Sequence, residues 1–138
     1  MKKLSDDMIE QAANEWIKLL QIAKQGNNPM KEFADLLIPQ LATQNEPSQE
    51  NFNLFKENLH RLLKDKAPNE LGYVELKTEF GPDELLAEAA RASRISNLLF
   101  PWHTHMNVSV YKDLILVTAG FWNRGAWDKK TTQAYPKL

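Results

Sequence analysis

The chain is expected to fold as α+β: an amino-terminal helical segment, then a small antiparallel sheet in strand–helix–hairpin order, backed by a helix. Three observations carry that expectation. Apolar residues recur at helical spacing through the first half of the chain, from Ile9 to Leu62. From Gly72 onward the period drops to two, first up to Phe80 and again from Met106 to Tyr111. Between the two regimes stands Lys66-Ala67-Pro68-Asn69-Glu70, a polar stretch with a proline, which divides a helical segment, 1–66, from an α+β core with an aromatic tail, 67–138.

The first helix is predicted from Ser5 to about Lys24, with Ile9, Ala12, Trp16, Leu19 and Ala23 on one stripe and Met8 and Leu20 widening it. Ser5 is its N-cap, and Asp6, Asp7 and Glu10 suit the positive end of the helix dipole. Asn28-Pro29 opens a second helix that buries Phe33, Leu36 and Leu37 and ends or kinks at Pro39. A polar loop through Pro47 leads to a third, about Gln49 to Lys64, with the stripe Phe52, Phe55, Leu59 and Leu62. His60 on this helix reads as a solvated surface histidine.

Gly72 to Phe80 is predicted as a strand with one wet face, since Val74, Leu76 and Phe80 alternate with Glu75, Lys77 and Glu79. Gly81-Pro82 breaks it, and a helix is expected over 82–99 on the stripe Leu85, Ala89, Ala92, Ile95 and Leu99. Arg91 and Arg94 lie one turn apart off that stripe, able to clamp a carboxylate or phosphate or simply to face water. Met106, Val108 and Val110 then alternate with Asn107, Ser109 and Tyr111 as a half-buried strand. After a turn at Tyr111-Lys112-Asp113, a second strand runs from Leu114 to Thr118, apolar on both parities as suits a central or interface strand. The aromatic segment Gly120 to Trp127 shows neither period, and 128–138 reads as a loosely ordered tail.

Composition removes several function classes. The chain of 138 residues contains no cysteine, so disulfides, thiolate metal sites and cysteine nucleophiles are excluded. A formal charge of −1, with Lys/Arg pairs only at the two ends, argues against a protein held to nucleic acid by bulk charge. No apolar run approaches the roughly 20 residues that span a bilayer. Acidic residues interrupt the amino terminus where a signal peptide would be apolar, so a soluble, cytoplasmic protein is expected.

No phosphate-binding glycine loop, nucleophile elbow or helical zinc motif is present. The candidate chemistry is His103-Thr104-His105 at the entrance to the hairpin, where both imidazoles share the parity of Asn107, Ser109 and Tyr111. Such a pair can share acid–base work, because an imidazole with its ordinary pKa of about 6.5 serves as acid and base near neutrality. It can also ligate a metal, but two nitrogens are too few for a closed site. A third ligand would have to come from His60, which lies off the centre of its helix's stripe, or from a carboxylate such as Glu75 or Glu79. No stoichiometric metal and no cofactor are therefore expected.

The order of strand (Tyr73–Phe80), helix (Pro82–Leu99), histidine-containing turn and hairpin resembles the core of the pterin-4a-carbinolamine dehydratases over residues 72–122. In that family a histidine pair followed by proline ends the helix, an aromatic lies a few residues on, and a hairpin strand ends near another histidine. Here His103 and Thr104-His105 stand in the histidine segment, Tyr111 in the aromatic position, and Leu114 to Thr118 in the following strand. The last histidine position falls near Phe121-Trp122, where there is no histidine, and the family's closing helix is not evident in 123–138. The resemblance implies a metal-free site for a bicyclic hydroxypterin, with His103 and His105 moving protons and Trp102 or Trp122 stacking on the ligand. It also implies a second use, since degenerate relatives of that fold act as protein-binding scaffolds.

The motif is degenerate, so the leading expectation is a small oligomeric interaction or assembly module, partnered by its own copies or by another protein. The first alternative is a dehydratase-like enzyme acting on a small heterocycle through His103 and His105. Its candidate ligand contacts are Trp102, Tyr111, Trp122, Arg91 and Arg94. The second alternative is metal binding through the His-Thr-His segment.

Overall fold

A computed structural model describes residues 2–22, 47–79, 81–101, 103–123 and 126–136; of 22, 98, 119–123 and 126–131 it describes the backbone alone. The second helix expected after Asn28, Phe80 and Trp102 lie outside the described residues. The described elements are α1 (Asp6–Ile22), α2 (Gln49–Leu63), β1 (Tyr73–Lys77), α3 (Glu84–Ala92), a 3-10 turn (Asn97–Leu99), β2 (His105–Ser109), β3 (Ile115–Asn123) and β4 (Ala126–Tyr135). The strands form one antiparallel sheet in the order β1-β2-β3-β4. This is the expected α+β class.

Local chemistry starts each helix. The Ser5 hydroxyl accepts the Met8 N–H at 3.2 Å and so caps α1. Ser48 and Asn51 form a reciprocal capping box that opens α2. The faces of α1 and α2 that carry Ile9, Trp16 and Leu20, and Phe52, Phe55 and Leu59, are buried, and they share one apolar cluster with α3 and the sheet. Phe100 is wedged between the two helices, its ring 5.9 Å from Trp16 and 6.2 Å from Phe55. The indole N–H of Trp16, fully buried, has no hydrogen-bond partner among the described residues.

The helix expected over 82–99 is shorter. It ends at Ala92 because Arg94 turns left-handed, with φ 60°. Arg94 N–H then bonds Arg91 C=O at 3.2 Å and Ile95 N–H bonds Ala90 C=O at 2.9 Å, the two bonds of a Schellman stop. Arginine rather than glycine occupies the left-handed position. The buried Ser93 hydroxyl donates to Ala89 C=O at 2.7 Å inside the same turn.

The carboxyl end also departs from expectation. In place of an unpatterned aromatic segment and a loose tail, residues 115–123 and 126–135 pair as a long hairpin whose register sets Trp122 opposite Trp127. The turn between β2 and β3 does fall at 111–113, where the Ser109 hydroxyl accepts the N–H groups of Tyr111 and Lys112 at 3.2 and 3.0 Å.

The helices cover one face of the sheet. Val74, Leu76, Met106, Val108, Ile115 and Val117 are buried against them. Glu75, Lys77 and Glu79 are exposed on the other face, beside half-buried His105, Asn107, Leu116 and Thr118.

Two side chains close the free edge of β1. The ladder bonds Val110 N–H to Gly72 C=O and Thr78 N–H to Thr104 C=O set the alternation, so Tyr73, Glu75 and Lys77 turn their backbone groups outward. Asn69 brackets Tyr73: its Oδ1 accepts the Tyr73 N–H at 3.0 Å and its own N–H donates to Tyr73 C=O at 2.8 Å. Asp83 brackets Lys77 in the same way, at 3.1 and 3.0 Å. Only Glu75 among these three lacks such a bracket within the described residues. An edge so closed is a poor template for another strand.

Candidate functional site

The site forms where the β1–β2 ladder runs past its last regular pair, Lys77 opposite His105. Past that pair the alternation breaks: Thr78 N–H donates to Thr104 C=O at 2.8 Å, and the next pair is bonded as well, His103 N–H donating to Glu79 C=O at 3.0 Å where a regular ladder would turn Glu79 outward. Glu79 and His103 therefore face each other across the ladder, with His105 one pleat away on the same side. His103 itself is left-handed, with φ 48°, a conformation that a β-carbon disfavours.

Both imidazoles converge on one carboxylate. His103 Nδ1 lies 2.9 Å from Glu79 Oε2, and His105 Nε2 lies 3.2 Å from Glu79 Oε1. The hydrogen bond from His103 is the largest influence on the Glu79 carboxyl; desolvation opposes it, and the bond and charge of His105 add to it, so the group is held below its ordinary value of 4.5. An ionised carboxylate only accepts, so each ring presents an N–H to Glu79. That selects the Nδ1–H form of neutral His103 and the Nε2–H form of neutral His105. His105 Nδ1 is 3.8 Å from Glu75 Oε1, too long for a hydrogen bond. The cluster is open to water, with side-chain exposures of 22% for His103, 37% for His105 and 54% for Glu79.

Not all the expected residues meet here. Tyr111 sits at the opposite end of β2, six residues and roughly 20 Å from His105 at the rise of a strand. It is exposed there, its ring over Gly72 and 5.7 Å from Lys2 Nζ. Arg91 and Arg94 are exposed at the end of α3, where Arg94 serves the helix stop. Trp122 is placed in β3 by its backbone. His60 bonds Asp6 across the α1–α2 groove, its Nε2 2.9 Å from Oδ1, beside a Lys56–Glu10 ion pair at 3.7 Å. Sequence reasoning left Glu79 unplaced. The only signal for it was parity, which set Glu79 on the wet side of β1.

Among the described residues no group of three or more His, Cys, Asp or Glu side chains is arranged to hold a metal ion. No described helix is long and apolar enough to cross a membrane. Set against protein-family models, curated proteins and solved structures, the chain matches none of them.

Proposed function

We propose that this protein binds a small polar heterocycle on the face of its sheet opposite the described helices and moves protons on it with His103 and His105. The observation that carries the reading is the single Glu79 carboxylate accepting from both imidazoles. One group thereby orients two proton-exchanging rings, the task a carboxylate performs for one histidine in hydrolytic triads. The resemblance to the carbinolamine dehydratases supplies the reaction class. A ring carbon bearing hydroxyl loses it as water, using a proton from one imidazolium. The neighbouring ring nitrogen yields its proton to the other, neutral imidazole, and a C=N bond forms.

The test is the dehydration rate of a hydroxytetrahydropterin. Wild-type protein is expected to accelerate it, and His103→Ala or His105→Ala to reduce that acceleration roughly a hundredfold or more. A wild-type rate equal to that of buffer removes the reading.

A second reading, an assembly module pairing copies of the chain, draws on another observation. The same face, opposite the described helices, carries half-buried Leu114 and Leu116, while the β1 edge is closed by Asn69 and Asp83. Association would then use the face and not that edge. Light scattering at micromolar concentration should show a dimer or larger that Leu116→Lys disperses; a strictly monomeric wild type sinks this reading.

A further inference from the structure

Resting on the acid–base reading above, we infer that Thr78 is the positioning residue of the site: its buried hydroxyl ties both flanks of the His103 loop and so fixes where that imidazole meets Glu79. Thr78 is 1% exposed. Its Oγ donates to Pro101 C=O at 2.6 Å and accepts the Thr104 N–H at 3.0 Å. A hydroxyl has one proton to give, and the short contact to Pro101 takes it; the contact to Thr104 C=O, at 3.5 Å, is secondary. Residues 101 and 104 bracket His103. The Thr78 backbone N–H adds a third tie, to Thr104 C=O at 2.8 Å.

This arrangement explains how a histidine rests at φ 48°. The ladder alone would let His103 continue in the extended conformation of β2. The hydroxyl instead pins the chain on either side, and the left-handed residue between carries its ring onto Glu79. Threonine suits the place because its methyl fills a buried position while its oxygen satisfies two backbone groups. Valine would keep the volume and lose both bonds.

The test compares Thr78→Val with Thr78→Ser by nitrogen-15 and carbon-13 NMR. In the valine variant the Nδ1–H tautomer of His103 should lose its dominance, and the Glu79 carboxyl should titrate back toward 4.5. Serine should restore both, and His60, which bonds Asp6 on α1, should not respond in either variant. In turnover, a ring displaced by about an ångström lowers kcat roughly a hundredfold. A folded valine variant with the wild-type His103 tautomer and Glu79 titration, changed only in melting temperature, overturns the inference. If valine fails to fold, Thr78→Ala against Thr78→Ser makes the same comparison. On wild-type protein, the Thr104 amide should exchange slowly with solvent, and rapid exchange would overturn the inference without any variant. The NMR outcome does not depend on substrate, so absent turnover would fell the proposed reaction and leave the role of Thr78 standing.

Discussion

The two ends of the β1–β2 ladder are built from the same parts and used differently. At each end a side-chain oxygen and backbone N–H of an Asx residue bracket an outward-facing residue of β1: Asn69 on Tyr73, Asp83 on Lys77. At each end one residue is left-handed, Gly72 with φ 83° and His103 with φ 48°. Glycine adopts that conformation at no steric cost, and its end of the ladder is a turn. Histidine adopts it at a cost that Thr78 and Glu79 offset, and its end carries the imidazoles. Near the histidines the residues also hold several duties at once. Asp83 closes the edge through Oδ2 and caps α3 through Oδ1, 2.8 Å from Leu86 N–H.

Mutations should expose this asymmetry. Asp83→Ala is expected to cost about 2–3 kcal/mol, the sum of a lost N-cap and a lost edge bond, measurable by chemical denaturation. Gly72→Ala should cost about 1–2 kcal/mol for forcing a β-carbon into the left-handed region. That β-carbon would also come within 2.6 Å of the exposed Tyr111 ring, which can swing into water. Pairing Gly72→Ala with Tyr111→Ala should therefore recover little. Asn69→Ala, with no helix to cap, should cost only about 1 kcal/mol. A loss at Asn69 equal to that at Asp83 would show that the ends are energetically alike.

The smallest effect is acidic and belongs to the histidine end alone. Glu79 titrates lower in the folded chain than in the unfolded one, so its contribution is present above its ordinary value of 4.5 and is lost as pH falls through the folded value. Melting curves from pH 7 to pH 3 should show a steeper acid limb for wild type than for Glu79→Gln. Parallel limbs would mean that the exposed cluster does not couple to folding.

Much of the fold was legible because local pattern and burial agree. The alternation of Val74, Leu76, Met106 and Val108 named the covered face of the sheet, and Ser5 named the start of α1. The end of α3 was not legible, since its stop uses Arg94 where glycine would have signalled a left-handed residue. Strand β4 was hidden for another reason: Asp128-Lys129-Lys130 and its threonines give no apolar alternation, and its conformation comes from pairing with β3. At the site, His103 and His105 stood out by type and spacing. Glu79 did not, because its approach depends on the register between β1 and β2, which twenty-odd residues of intervening chain conceal.

The enclosure of Trp16 has an optical consequence. Its indole is buried in the core, with no hydrogen-bond partner among the described residues, and is shielded from the bulk solvent that would reorient around an excited state. Its fluorescence should therefore sit at the short-wavelength side of the protein's emission and resist quenching by iodide. Phe100, tilted against it at 58°, lies three residues before His103 and couples that glow to the loop. A red shift of this component would signal that the loop had come away from the helices, even while the circular dichroism of α1 and α2 stayed unchanged.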